Sequence, residues 1–213
     1  SCMVEALRSG LHVLRGVAVV KADTSDRELE ELHAAGVRGV RINLASATEG
    51  LTLADGERLA PRLKELGWHL QFYLDLPKMP EAEAQLAKLP ITIVIDHFAR
   101  CPAQDGIDSP AFKALLRLVG RDNCYAKVMG PYFISKHAPL YPDVTPLARA
   151  GYHATLALKG DGPVTILSWS LLRKSGLVYV SHGVSGETVN LLGRWNQGLA
   201  HWQIGTLNPA LVI

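Results

Sequence analysis

At 213 residues and 48% hydrophobic content, the chain carries enough apolar material for one large domain with a real core. Its net charge of +2 comes from interspersed acids and bases, with no Lys/Arg run to suggest nucleic acid and no apolar stretch near the ~18 residues of a membrane span. The three cysteines, Cys2, Cys101 and Cys124, are odd in number, far apart and without C-x-x-C spacing, so they read as reduced thiols of a cytoplasmic protein and neither a disulfide framework nor a zinc knuckle.

The N-terminal residues have no charged start followed by an apolar stretch and so do not read as a signal peptide. Residues 3–10 read as the tail of a helix ended by Gly10, and Val13–Val20 as a buried strand. Ser25 with Glu28 three places on forms a capping box for a helix over 26–35, which Gly36 ends. A strand follows at Val37–Leu44, a helix at about 54–66 closed by Gly67, and a strand at Trp68–Leu74. The alternation continues with a helix at about 80–88, a strand at 91–96, a helix at about 109–119 and a strand at 124–129. Strands and helices joined by short links predict right-handed βαβ units and an all-parallel sheet.

The stretch Ile91 to Arg100 is the most informative. Its apolar, largely β-branched run fits a parallel strand covered on both faces. It delivers Asp96 and His97 at its C-terminal tip, where parallel sheets hold their ligands. The competing reading makes Asp96 a turn residue that accepts backbone N–H bonds. Other predicted strands end in the same way: Lys21 and Asp23, Arg41 and Asn43, Tyr73 and Asp75, Lys127. Polar groups at the same end of successive strands are what a (β/α)₈ barrel needs on its rim. A doubly wound sheet would usually carry a Gly-rich phosphate turn after its first strand, and none follows Val20. No linker or charge block divides the chain, so residues 1–213 are expected to be one domain. The fold class is α/β, a (β/α)₈ TIM-barrel-like domain. Five good strands plus one or two apolar patches after residue 150 fall short of the eight strands and ~250 residues of a full barrel. The barrel is therefore expected to be partial, lacking its first one or two β/α units and divergent in its last strand region.

With Val-Arg-Gly-Val-Arg-Ile-Asn-Leu (37–44), Ile-Asp-His-Phe-Ala-Arg (95–100), Cys-Tyr-Ala-Lys-Val-Met-Gly (124–130) and Asp-Val-Thr-Pro-Leu-Ala-Arg-Ala (143–150), the chain resembles the amidohydrolase-related family. Within it the chain is most similar to the 2-pyrone-4,6-dicarboxylate lactonase group. The resemblance covers residues 1–150 well and about 186–213 loosely. It implies a TIM barrel that hydrolyses a lactone or cyclic ester bearing carboxylates. It also implies roles at matched positions: Arg41 holding a substrate carboxylate, Tyr73 contacting the substrate, and His97 polarising the carbonyl that water attacks. A guanidinium suits the first task, because its planar fork meets a carboxylate in two parallel hydrogen bonds. The competing readings make Arg41 rim scaffolding paired with an acid, and Tyr73 an amphipathic residue at the core edge.

The departures from the family pattern bear on activity. No His-x-His pair occurs, and the eight histidines are scattered without ligand-like spacing. No cofactor and no metal ligand is therefore predicted, although relatives can hold a divalent metal such as zinc. The family's arginine after the strand 124–129 falls at about Phe133, which cannot bind a second carboxylate. The aspartate expected on the last strand has its nearest echo at Asp161, in Lys-Gly-Asp-Gly-Pro, which is also strong turn chemistry. With His97 and Asp161 as catalytic candidates and Arg41 and Tyr73 as substrate-binding ones, the expectation is a carboxylated small-molecule substrate and weak or no hydrolysis. Two alternatives stay open: a degenerate, non-catalytic barrel fragment that self-associates as a homo-oligomer, and a metal-dependent decarboxylase of the same superfamily.

Overall fold

Alternating apolar strands and amphipathic helices stack here into a single parallel sheet with helices against one face. The computed structural model describes residues 2–8, 15–45, 50–128, 130–138, 140–151, 171–173, 176–178, 191–196 and 199–204. Helix α1 (Cys2–Arg8) precedes β1 (Gly16–Ala18), α2 (Asp26–Ala35), β2 (Val37–Asn43), α3 (Leu53–Glu65) and β3 (His69–Tyr73). Then come α4 (Ala82–Leu86), β4 (Ile93–Ile95), α5 (Pro110–Val119) and β5 (Cys124–Ala126). The five strands pair in parallel in the order β1-β2-β3-β4-β5. Every unit adds its strand to the same growing edge. A doubly wound sheet reverses direction at a switch point, whereas barrel winding does not. Among the described residues the barrel winding expected from the sequence is the architecture found.

Local chemistry accounts for the helix ends. Ser25 Oγ accepts from the Glu28 backbone N–H, and the Glu28 carboxylate accepts from the Ser25 N–H, closing the capping box. Gly36 ends α2 at φ 108°, a left-handed conformation that favours glycine. A second box, Thr52 with Asp55, opens α3; its hydrogen bonds and the neighbouring Arg58 hold the Asp55 carboxyl down at about 2. Ser109 caps α5 ahead of Pro110.

The register separates the two faces of the sheet. Val40, Leu70 and Ile93 lie level with one another, as do Ile42, Phe72 and Ile95, and all six are fully or almost fully buried. These side chains face the helices: a Cβ placed on Gly56 of α3 would come within 3.0 Å of Ile42 Cδ1. Burying such side chains contributes about 1.5–3 kcal/mol each, and Leu29, Leu59, Leu63, Leu86 and Phe112 complete the layer from the helix side. Successive residues of a strand point to opposite faces, so Gly39, Arg41 and Asn43 of β2 and His69, Gln71 and Tyr73 of β3 face the barrel interior. The interior is polar, and it holds the candidate site.

At the bottom of that interior the His69 ring covers Gly39, where a Cβ would sit 2.5 Å from Cε1. Burial, and next the charge of Lys127, push the His69 pKa below its ordinary 6.5. The unfolded chain then binds more protons than the native state below about pH 6.5, so stability is full above that pH and falls as the pH drops through the folded value. Urea midpoints at pH 7.5 and 5.5 should show an acid loss that shrinks in His69→Gln. An unchanged loss would assign it elsewhere.

Two features differ from the sequence reading. The first strand is shorter than Val13–Val20: it pairs over Gly16–Ala18, Val19 is 75% exposed, and a turn closed by Lys21 N–H on Thr24 Oγ1 begins at once. Beyond residue 150, the described strands β6 (Leu171–Arg173) and β7 (Gly176–Val178) pair antiparallel, as do β8 (Leu191–Asn196) and β9 (Leu199–Ile204). The apolar patches there had suggested one or two more parallel strands. Two residues separate the strands of each pair, a link that suits a hairpin and is far too short for a parallel crossover.

Cys101 and Cys124 are buried, and neither forms a disulfide among the described residues. Burial, reinforced by Asp75 and Asp105, pushes the Cys101 thiol up to about 12, so it is almost wholly protonated near neutrality. Alkylation at pH 8 followed by peptide mapping should leave Cys101 unlabelled until the protein is denatured. Rapid labelling of the native chain would contradict this burial.

Candidate functional site

At the C-terminal tip of β4 the chain turns abruptly. His97, Phe98, Ala99 and Arg100 have φ of 49°, 54°, 52° and 58°, four consecutive non-glycine residues in the left-handed region. That conformation costs roughly 1–2 kcal/mol per residue. Buried Phe98 and Ala99 anchor the turn. It is also tied by hydrogen bonds from Phe98 N–H to the Lys127 carbonyl (3.3 Å) and from Ala99 N–H to the Asp96 carbonyl (2.9 Å). Strain held in this way is characteristic of sites where side-chain placement matters. Three residues apart, the His97 and Arg100 side chains both reach the rings of Tyr73 and Phe133.

Asp96 is the electrostatic centre. Only 2% exposed, it accepts from Arg41 Nε at 3.0 Å and Gln71 Nε2 at 2.9 Å on Oδ2, while Lys127 Nζ lies 3.2 Å from Oδ1. Its side chain makes no helix-cap hydrogen bond, so the turn-residue reading does not describe it. Two cations face one carboxylate, an excess of one positive charge. Because Nε is committed to Asp96, the planar guanidinium of Arg41 is fixed in orientation. Among the described residues its two terminal nitrogens make no hydrogen bond, and the group is 30% exposed.

Tyr73 joins the parts. The Arg41 Cζ lies 5.0 Å from the Tyr73 ring centroid, and the His97 ring meets Tyr73 edge-on at 5.5 Å. Arg100 Nη1 donates to the Tyr73 hydroxyl at 2.6 Å, and Asp75, which also pairs with Lys78, holds Arg100 Nε at 3.4 Å. The phenol thus accepts from a guanidinium and keeps its own proton to donate. Arg41, Tyr73 and His97, which the sequence singled out, stand together around one mouth. Asp161 lies outside the described residues.

Sequence reasoning had not singled out Arg100 or Gln71. Arg100 stood in the quoted Ile-Asp-His-Phe-Ala-Arg motif, but only the left-handed turn carries it back to Tyr73. Gln71 stands between Leu70 and Phe72, and that polar interruption of apolar neighbours was its signal.

A divalent metal needs several oxygen, nitrogen or sulfur donors converging on one point. Among the described residues no group of three or more His, Cys, Asp or Glu does so. The nearest carboxylate, Asp96, is faced on both oxygens by Arg41, Gln71 and Lys127. The described residues therefore do not fit a metal.

Among curated proteins, a 2-pyrone-4,6-dicarboxylate hydrolase of Comamonas testosteroni is 38% identical over 157 residues, 69% of this chain and 52% of the relative. The chain thus spans about half the length of that protein. A solved structure described as a 2-pyrone-4,6-dicarboxylic acid hydrolase of Pseudomonas putida superposes with TM-score 0.62 at 33% identity, covering 75% of this chain and 57% of the other. A similarly described Acinetobacter baumannii protein, solved with citric acid bound, gives TM-score 0.60 at 26% identity over 78% and 60% of the two chains. The family model described as amidohydrolase matches residues 2–157, which take in all five parallel strands and the described residues of the mouth, and the chain belongs to the amidohydrolase family.

Proposed function

We propose that this chain binds a lactone or similar cyclic ester of the 2-pyrone-4,6-dicarboxylate type and serves a hydrolase that opens the ring by attack of activated water. The observation that carries the reading is the Arg41 guanidinium, oriented through Nε by buried Asp96 beside Tyr73 and His97. Its terminal nitrogens offer a substrate carboxylate two parallel charge-assisted hydrogen bonds. The Tyr73 hydroxyl donates to the ester or a carboxylate oxygen. His97 polarises the carbonyl and stabilises the charge that develops on oxygen as water adds, after which the ring C–O bond breaks. An aspartate serves as general base, with Asp161 the candidate. The relatives' names favour this substrate class, and the citric acid of the Acinetobacter protein shows a carboxylate ligand on a related chain. The buried thiols of Cys101 and Cys124 favour a reducing, cytoplasmic setting. Exposed Val19 beside the short strand β1 favours self-association, which light scattering would detect.

Titration calorimetry with 2-pyrone carboxylates tests the site. Binding at millimolar concentration or tighter is expected, and it should weaken in Arg41→Ala. Absence of binding would overturn the reading. Ring opening, followed by loss of the pyrone absorbance, should be slow, because the sequence offers only Asp161, in Gly-Asp-Gly-Pro, for the general base, and loss of a base forfeits a factor of about 10²–10⁴. Rapid hydrolysis abolished by His97→Ala would contradict the expected slowness while supporting the chemistry.

A further inference from the structure

The mouth has two unlike sides. One is cationic, with Arg41 and Lys127 around Asp96 and Arg100 beside Asp75. The other is aromatic and open: Phe133 is 38% exposed and Tyr132 is 63% exposed, their ring centroids 4.5 Å apart. Phe133 lies 4.6 Å from the His97 ring and 6.0 Å from Tyr73. Gly130 brings this loop in close: its φ is 69°, and a Cβ there would sit 2.6 Å from His97 Nδ1 and 2.8 Å from Phe133. The only described cation recorded against Phe133 is Arg100, 5.7 Å from its centroid and already engaged with Tyr73 and Asp75. After Gly130 the next charged side chain in the sequence is Lys136, three residues beyond Phe133.

We infer that the site prefers a planar unsaturated ring carrying a single carboxylate, with that carboxylate at Arg41 and the uncharged edge of the ring against Phe133. This rests on the carboxylated-lactone reading and narrows it. A ring face packs well on an aromatic wall, particularly in offset or edge-to-face geometry. A second carboxylate pressed on the same wall would give up part of its water and, among the described residues, meet no cation that is not already engaged, and such unpaired desolvation is how a site rejects a near-identical ligand.

Calorimetric titration of the 213-residue chain with 2-pyrone-6-carboxylate and with 2-pyrone-4,6-dicarboxylate tests this. The monocarboxylate should bind at least tenfold tighter. Phe133→Arg should reverse the order, and Phe133→Leu, still apolar, should keep it. Tighter binding of the dicarboxylate by the unmodified chain would overturn the inference and leave the lactone reading standing, as would an unchanged ratio in a folded Phe133→Arg variant. Failure of both compounds to bind would remove the lactone reading and this inference with it. The ratio measured on the unmodified chain decides the matter even where a variant does not fold.

Discussion

Asp96→Ala should destabilise the protein by roughly 3 kcal/mol, the largest stability effect we expect from a single polar side chain. The carboxylate is 2% exposed and faces Arg41, Gln71 and Lys127. Removing one partner of a buried ionic cluster leaves the others uncompensated, at about 3–5 kcal/mol. The lower end applies, because the Arg41 and Lys127 side chains keep 30% and 22% of their exposure and can turn toward water. Asp96→Asn separates charge from packing. It keeps the volume and an oxygen for Gln71, so its loss should be roughly half as large, in line with the charge-assisted part of such bonds. Urea unfolding of the three proteins measures both. Equal midpoints for Asp96→Ala and the parent would show that the cluster does not hold the barrel interior together.

Arg41→Ala should weaken binding of a pyrone carboxylate about 100-fold, the upper range for one lost pair of hydrogen bonds to a charged group. Arg41→Lys sharpens the test. An ammonium can still pair with Asp96, so stability should change little, but it cannot present a planar fork and affinity should fall about tenfold. Calorimetry gives the affinities and urea midpoints the stabilities. If Arg41→Ala lowered stability alone and left affinity intact, the residue would be rim scaffolding, the competing reading its ion pair with Asp96 also allows.

Much of the framework was readable because local chemistry and tertiary structure agree. Ser25 with Glu28, Gly36 and Gly67 marked helix ends within about a residue of where they lie. The mouth was readable for a different reason: strand tips of a barrel converge, so Arg41, Tyr73 and Asp96-His97 needed only correct strand assignments to be brought together. What could not be read depends on backbone geometry without a residue signature. Nothing in His-Phe-Ala-Arg announces four left-handed residues, since none is glycine, and the contacts of Arg100 follow from that turn. The contrast between a polar interior and an apolar outer face on β2 and β3 was masked by β4, where Ile93, Val94 and Ile95 are all buried. Phe133 could be placed in its loop from sequence, but its contact with His97 relies on Gly130 letting the loop approach.

A crystal structure of the chain soaked with 2-pyrone-6-carboxylate would bear most directly on whether these side chains form one binding mouth. The carboxylate should lie about 2.7–2.9 Å from the terminal nitrogens of Arg41, with the ring in contact with Tyr73 and His97. A ligand well ordered elsewhere on the molecule, with Arg41 contacting only Asp96, would contradict it.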